Sequence, residues 1–416
     1  MTPARSARTD VLVVGAGPAG SAAAAWSARS GRDTVLVDAA VFPRDKTCGD
    51  GLTPRAIAEL DLLGLDDWVR AHTVNHGLRA HGFGQTLLLP WPGPGSSGTG
   101  LPAYGSAVAR TELDDHLRTT AMKSGAVGID GARAVDVRMD GGRVAGVVFE
   151  SGGETFELGC QRLVVADGVR SPLGRRLGRA WHRDTVYGVA GRSYMDSEMS
   201  DDPWISSHLE LRSESGEVLS GYGWIFPLGG GSVNVGVGTL ATARRPAEVA
   251  LRPLMRHYAD QRRADFGLSG DLRMPTSAML PMGGAVSNVA GPNWALVGDA
   301  AACVNPLNGE GIDYGLETGR LLVDLLEEDL TSAWPSLLRE HYGEAFSIAR
   351  RLAGLVTVPR LLPTLGPAGM RSDWLMTLAL RWMGNLVTDD DRDRAARIWR
   401  WAGRRSVRLD ARPPFS

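Results

Sequence analysis

Lysine is almost missing from this 416-residue sequence: Lys46 and Lys123 are the only two, and arginine supplies the rest of the positive charge. Cysteine is equally sparse. Cys48, Cys160 and Cys303 lie far apart and form no CxxC, so the pattern carries neither a disulfide framework nor a zinc site and fits a reducing compartment. Neither sign of charge dominates, with 45 Lys and Arg against 47 Asp and Glu, which leaves no basic surplus for nucleic acid. Long apolar runs are lacking too. The uncharged stretches Ala80–Ala109 and Met274–Gly298 are interrupted by Gly and Pro, which excludes a spanning helix in either. Met1–Asp10 is polar and holds no signal-peptide core. The expected location is the cytoplasm, with at most peripheral contact at the cytoplasmic membrane. What is abundant is glycine, at 53 residues, and tryptophan, whose 12 copies outnumber 8 Phe and 7 Tyr.

Position explains much of the glycine. Asp10–Val14 is a short apolar run of the kind that forms a buried parallel strand. It leads into Gly15-Ala-Gly17-Pro18-Ala19-Gly20, a helical stretch to Arg29, and a second strand, Thr34–Asp38. This is a βαβ unit. Gly15 permits a tight turn, Gly17 lets backbone amides approach a pyrophosphate, and Gly20 allows close helix–strand packing. The helix N-terminus then offers free N–H groups and a positive dipole end to the phosphates. Asp38, 18 residues past Gly20, is placed to accept ribose hydroxyls. The motif alone does not separate FAD from NAD.

Two later strand-to-turn segments repeat this pattern: Arg162–Val165 into Asp167-Gly168, and Trp294–Val297 into Gly298-Asp299. The second continues through Asn305-Pro306-Leu-Asn308-Gly309-Glu-Gly311-Ile312 into a helical stretch reaching about Asp329. Together with Arg110, and in this order, the segments resemble the flavoprotein family of aromatic hydroxylases, halogenases and geranylgeranyl reductases. The resemblance implies FAD, bound by Gly15, Gly17, Pro18, Ala19, Gly20, Asp38, Arg44, Cys48, Gly49, Asp50, Arg110, Asp167, Gly168, Gly298, Asp299, Gly309, Gly311 and Ile312. The fold it implies is α/β plus antiparallel β: a discontinuous Rossmann-like FAD-binding domain of the aromatic-hydroxylase and glutathione-reductase kind, a sheet domain for substrate, and a helical C-terminal region. We place the first at 1–80, 102–180 and 285–330, the second at 81–101 and 181–284, and the third at 331–416. Strands are expected at Thr185–Tyr194, Ser207–Arg212, Gly221–Pro227 and Ser232–Leu240, and a strand plus long loop at Gln85–Pro102.

The geranylgeranyl reductase branch is resembled most closely, on Phe42-Pro-Arg44-Asp-Lys46-Thr-Cys48-Gly49-Asp50-Gly51 and on Tyr222-Gly-Trp224-Ile-Phe226-Pro227 followed by Gly236-Val-Gly238. Leu219 stands where that branch often has proline. The resemblance implies saturation of a double bond in an isoprenoid chain, with the β-isoprene unit of menaquinone as the expected target and a geranylgeranyl group or lipid as the alternative. The partner is then menaquinone or another polyprenyl lipid. No second GxGxxG unit appears, so the electron donor stays open between NAD(P)H, a separate reductase and a ferredoxin. Catalytic roles are expected for Cys48, Tyr222 and Trp224. Period-two spacing puts Tyr222, Trp224 and Phe226 on one strand face, as a pocket lining or as a stripe of sheet core. Arg44 and Lys46 flank Cys48 and are expected to lower its thiol pKa, unless the cysteine is simply a small buried residue.

Beyond Leu330 the pattern is helical. Ala345–Val358 has amphipathic spacing, Pro359, Pro363 and Pro367 are expected to break it, and Trp374–Val387 is strongly apolar. That last segment reads either as an interfacial helix meeting a bilayer or as a cap on the sheet. A flavin monooxygenase or halogenase on the same fold remains a competing reading. The halogenase would need a lysine in the pocket, and Lys46 and Lys123 are both poorly placed for that role.

Overall fold

The protein was analysed as a computed structural model that describes residues 8–93 and 100–416. The expectations for residues 1–7, and for the part of the Gln85–Pro102 loop between 94 and 99, lie outside the described residues. The strand Arg8–Val14 is the middle of the first sheet, and Val11, Leu12 and Val13 are wholly buried. Helices cover a parallel sheet on both faces, so its strands read as continuous apolar runs. Arg8–Val14 pairs in parallel with Thr34–Val37 on one side and Glu154–Val165 on the other. Val127–Ile129 and Trp294–Leu296 extend the sheet on the two sides, also in parallel, and the short Ala290–Gly291 pairs antiparallel outside Trp294–Leu296. Glu154–Val165 is long enough to serve two partners, because its first half pairs antiparallel with Arg143–Ser151, which hairpins back to Arg133–Asp140.

The second sheet has seven strands, in the order Leu268–Pro281, Tyr187–Ser197, Ser232–Ala241, Gly221–Gly229, Ile205–His208, Gly77–Gly82 and Gln85–Pro90. Every neighbouring pair is antiparallel except Ile205–His208 with Gly77–Gly82. A small patch of Gly51–Leu52, Gly105–Ala107 and Thr73–Asn75 lies between the two sheets in the chain path. Three of the expected strands recur with shifted ends. The fourth, expected at Ser207–Arg212, is Ile205–His208, and Arg212 makes only an isolated bridge to Val218. The helix Leu251–Phe266 and the strand Leu268–Pro281 carry no expectation from sequence. The helix turns Leu254, Met255, Tyr258, Ala259 and Phe266 onto the sheet despite a strongly charged outer face.

The helices Leu330–Leu338, Glu344–Val356, Leu361–Gly369, Asp373–Met383 and Arg394–Val407 complete the chain. The helix expected at Ala345–Val358 is Glu344–Val356 and stops before Pro359, as expected, while Pro363 and Pro367 lie within the separate helix Leu361–Gly369, Pro363 in its first turn, where no intrahelical N–H bond is lost.

The two halves of the nucleotide domain are joined by the helices Pro18–Arg29 and Ile312–Val323, which meet along small residues. Ala22–Ala25 are all buried, and a Cβ on Gly319 would sit 2.4 Å from the Ala19 carbonyl oxygen and 2.9 Å from the Ala23 nitrogen. Alanine in place of a helical glycine ordinarily stabilises by about 1 kcal/mol. At Gly319 the clash is with backbone, which cannot rotate aside, so we predict that Gly319→Ala destabilises by about 1–3 kcal/mol. A lowered melting temperature is the expected outcome, and an unchanged or raised one would show that the helices separate freely.

Candidate active site

The Gly15–Gly20 turn has one closed side and one open side. A Cβ on Gly15, whose φ is 105°, would lie 2.3 Å from the Ala166 carbonyl oxygen, and one on Gly20 would lie 1.7 Å from the Gly15 carbonyl oxygen. Those two glycines are demanded by packing against the next strand. Gly17 meets no backbone. Within 4 Å of its would-be Cβ stand only guanidinium nitrogens, of Arg44 at 3.4 Å and Arg110 at 3.9 Å. Pro18 opens the helix at its first turn, where its missing N–H costs nothing. This is a cradle for a pyrophosphate: a glycine face, a helix N-terminus and two cations.

Asp114 holds those cations in place. It is fully buried and accepts from Arg110 Nε at 2.7 Å and Nη2 at 2.8 Å, and from Arg44 Nη1 at 2.7 Å. Sequence reading missed Asp114, although its i,i+4 spacing from Arg110 on the helix Arg110–Lys123 was a legible signal. Asp38 braces the turn from the other side. Its Oδ2 accepts from the Ala16 amide at 2.7 Å and its Oδ1 from the Ala40 amide at 2.8 Å, and each oxygen keeps a lone pair for a ribose hydroxyl. Asp167 is occupied otherwise: it takes the Ser171 hydroxyl at 2.5 Å and the Leu173 amide at 2.8 Å, capping the short helix Pro172–Arg176.

Further along, Lys46 and Asp299 pair at 3.0 Å, and a Cβ on Gly168 would come within 3.4 Å of the Lys46 ammonium. Gly298, with φ 56°, lets this turn close on Ala19, whose Cβ would stand 2.8 Å from a Cβ at Gly298. The loop through Asn305, Asn308, Gly309 and Gly311 then delivers the N-terminus of the helix beginning at Ile312. Its free N–H groups and dipole suit an electron-rich ring. Residues from Lys46 to Ile312 are therefore drawn together alongside the Gly15–Gly20 turn.

The aromatic stripe crosses the same cleft. Tyr222, Trp224 and Phe226 share a face of Gly221–Gly229, with ring centroids 5.8 Å and 6.3 Å apart in succession. In register, Tyr222 lies opposite Gly238 and Trp224 opposite Gly236. A Cβ on Gly236 would be 2.1 Å from Trp224 Cζ2, so the Gly-x-Gly pair is the flat seat on which the indole lies. Across from it the Gly49–Gly51 turn meets Trp224 and Phe226 closely enough to leave no room for side chains. The Trp224 indole N–H donates to Asn234 Oδ1 at 2.8 Å, and Asn234 Nδ2 donates to the Cys48 carbonyl oxygen at 2.9 Å and to Asp50 Oδ2 at 2.8 Å. Asn234 thus ties the stripe to the Cys48–Asp50 turn. It was also missed, and its signal is a lone polar residue between Val233 and Val235 in a buried strand.

For Cys48 the expectation of a lowered pKa is overturned. Burial pushes the thiol up, outweighing the downward pull of Arg110, and the flanking Arg44 and Lys46 point instead to Asp114 and Asp299. Cys160 and Cys303 are wholly buried. Asp50 is buried as well, and desolvation lifts its carboxyl to about 6 despite the hydrogen bond from Asn234. A carboxyl with a raised folded pKa contributes its full stability below the ordinary carboxylate range and loses it as pH rises through the folded value. We predict that Asp50→Asn, which keeps the shape and removes the charge, gains on the unaltered protein between about pH 4 and about pH 7, by about 1–3 kcal/mol. Denaturation midpoints of both proteins across that range check this. A constant difference would refute it.

The comparisons agree with this geometry. Residues 8–354 match the family described as FAD binding domain. The chain is 62% identical over 414 residues to a menaquinone reductase of Mycolicibacterium smegmatis, covering 98% of this chain and 99% of that one. It is 62% identical over 409 residues to one of Mycobacterium tuberculosis, covering 98% of each. A digeranylgeranylglycerophospholipid reductase of Methanopyrus kandleri is 29% identical over 83% of this chain and 90% of its own. Among solved structures, a geranylgeranyl bacteriochlorophyll reductase-like protein from Thermoplasma acidophilum superposes with a TM-score of 0.72 at 21% identity, covering 97% of this chain and 96% of that one. The flavin-dependent brominase Bmp2 does so at 0.74 and 18%, covering 97% and 100%. The matched span takes in both sheets and the helix after the Asn305–Gly311 loop, and by it the chain belongs to the FAD binding domain family.

Proposed function

We propose that this FAD-dependent oxidoreductase saturates a double bond in the isoprenoid tail of menaquinone, at the β-isoprene unit. The observation that carries this reading is the 62% identity, over nearly the whole of both chains, to the mycobacterial menaquinone reductases. The residues fit the cofactor at the open face of Gly17, where Arg44 and Arg110 would take the pyrophosphate, and at the Lys46–Asp299 turn and the Ile312 helix end, which would take the ring side. FAD, when bound and reduced, supplies hydride. The chain's own residues must then do the rest.

An isolated trisubstituted alkene is unpolarised, so its reduction needs a proton, and positive charge develops on the more substituted carbon as that proton arrives. Aromatic faces stabilise such charge by about 0.5–2 kcal/mol each. Tyr222 and Trp224 are the faces available, held rigid by the Gly236–Gly238 seat and by Asn234, while the stripe excludes water from the tail. A brominase shares the fold, but chemistry does not follow from fold. Lys46 is committed to Asp299 and Lys123 is exposed on the far end of its helix, so neither is free to act in the pocket.

The substrate comes from a bilayer, and one surface suits it. Among the described residues no helix is long and apolar enough to cross a membrane. Leu361–Gly369, however, buries none of its residues, and Leu365, Trp374 and Leu375 are 59%, 73% and 42% exposed. We assign this face to the membrane interface, where exposed Trp and Leu flanked by Arg360 and Arg371 would lie among headgroups.

Reduced holoenzyme mixed anaerobically with menaquinone should reoxidise its flavin and yield a product that is still heavier by two hydrogen atoms after its ring has been returned to the quinone. A product heavier by one oxygen in air would defeat the reductase reading. Trp224→Ala and Cys48→Ala should each retain FAD and lose at least about tenfold in rate. Loss of FAD in either would make that residue structural. Separately, Trp374→Glu should weaken flotation with anionic vesicles while leaving reduction of a short-chain, detergent-dispersed menaquinone unchanged. Equal flotation would remove the surface from consideration.

A further inference from the structure

The reduction needs a proton source beside the aromatic stripe, and the half-buried Glu310, which has no role so far, lies on a loop that meets it, with the buried Asp313 three residues further on. Glu310 stands on the loop before Gly311. Its Oε1 accepts from the Thr53 hydroxyl at 2.6 Å, and Asn308 Nδ2 approaches its Oε2 at 3.5 Å. The same loop is gripped by Tyr222, whose hydroxyl donates to the Asn308 carbonyl oxygen. Glu310 therefore lies where the Cys48–Thr53 segment, the aromatic strand and the flavin-facing helix end converge. Asp313, on the first turn of that helix, is fully buried, with Oδ2 accepting from Asn385 Nδ2 at 2.8 Å and Oδ1 from the Tyr314 amide at 2.7 Å. Those two partners, Asn385 and Tyr314, also line a cavity with Arg55, His341 and Arg400 among others, between the C-terminal helices.

Among the described residues neither acid makes an ion pair, since Arg55, the nearby cation, is bound by Glu317 at 2.9 Å. Burial and the adjacent Asp313 carboxyl push Glu310 well above the ordinary carboxylic range, and burial lifts Asp313 to about 7. Glu310 therefore keeps its proton at neutral pH, and Asp313 exchanges its own around that pH.

We propose that Glu310 is the general acid of the reduction and that Asp313, with the cavity its partners line, resupplies its proton. This rests on the reductase reading given above. The Glu310 O–H bond breaks as a C–H bond forms at the less substituted alkene carbon. FAD, once bound and reduced, would supply the hydride for the C–H bond at the more substituted carbon, so that the π bond is lost and the two electrons the alkene gains are those the cofactor gives up. Glu310, left as a carboxylate, takes a proton from Asp313, which is recharged by water in the cavity.

The test uses holoenzyme labelled with ¹³C-glutamate, reduced anaerobically and mixed with menaquinone. Infrared spectroscopy at neutral pH should show the carbonyl stretch of a neutral, label-sensitive carboxylic acid that disappears in Glu310→Gln. That variant should keep FAD and reoxidise roughly 10²–10⁴-fold more slowly than the unaltered enzyme. Glu310→Asp should restore part of the rate, with its band no longer label-sensitive. The proposal is overturned if the unaltered enzyme has no such band, or if Glu310→Gln reoxidises as fast as it does. If Glu310→Gln cannot hold FAD, the band and the Glu310→Asp rate decide alone: a missing band or an unchanged rate overturns the assignment. Failure of the unaltered enzyme to reduce menaquinone while the band is present would instead defeat the reductase reading.

Discussion

The contact between the helices Pro18–Arg29 and Ile312–Val323 is the constraint on which the rest depends. It joins segments about three hundred residues apart, and it works only because no side chain stands between them. Gly319 closes on the Ala19 backbone, Gly315 and Gly298 close on the Ala19 side chain, and Gly20 closes on Gly15. Close packing of this kind tolerates little added volume. The consequence is functional: the same approach brings the phosphate turn, the Lys46–Asp299 pair and the Asn305–Gly311 loop to one cleft.

Within that cleft charge is sorted by position. At the phosphate end two guanidiniums share one buried carboxylate, Asp114, so positive charge is in excess where a pyrophosphate would lie. Next, Lys46 and Asp299 balance each other. Beside the aromatic stripe and the loop it grips, burial displaces the carboxyls of Asp50, Glu310 and Asp313 upward, Glu310 the furthest above the carboxylic range. One cleft thus offers a cationic seat for an anionic cofactor and, away from it, acids that give up their protons less readily than exposed ones. That separation is what a reaction joining hydride and proton at an unpolarised double bond demands.

Legibility varied with the range of the interaction. The Gly15–Gly20 turn with its two strands, the Tyr222–Trp224–Phe226 stripe and the Gly298–Ile312 segment were all readable, because each rests on local spacing. The Gly236–Gly238 pair was noticed as a pattern, but its reason, a seat for the Trp224 ring, appears only when the strands are placed in register. Asp114 and Asn234 each have a near partner, Arg110 and Trp224, but what makes them matter is the distant one: Arg44, Cys48 and Asp50 lie 70 to 186 residues away. The error over Cys48 has the same origin. Neighbours in sequence suggested cations, whereas the fold turned those cations toward carboxylates and buried the thiol.

By itself, the sequence determined that the first strand–helix turn has the form of a dinucleotide site and that three aromatic residues share one strand face. Glycine spacing and strand alternation encode such features within a few residues. Only the tertiary structure decided which acids are neutral, which arginines face the phosphates and what holds the indole in place. Those properties are set by burial and by partners across the cleft, and neither exists until the sheets and the two small-residue helices have come together.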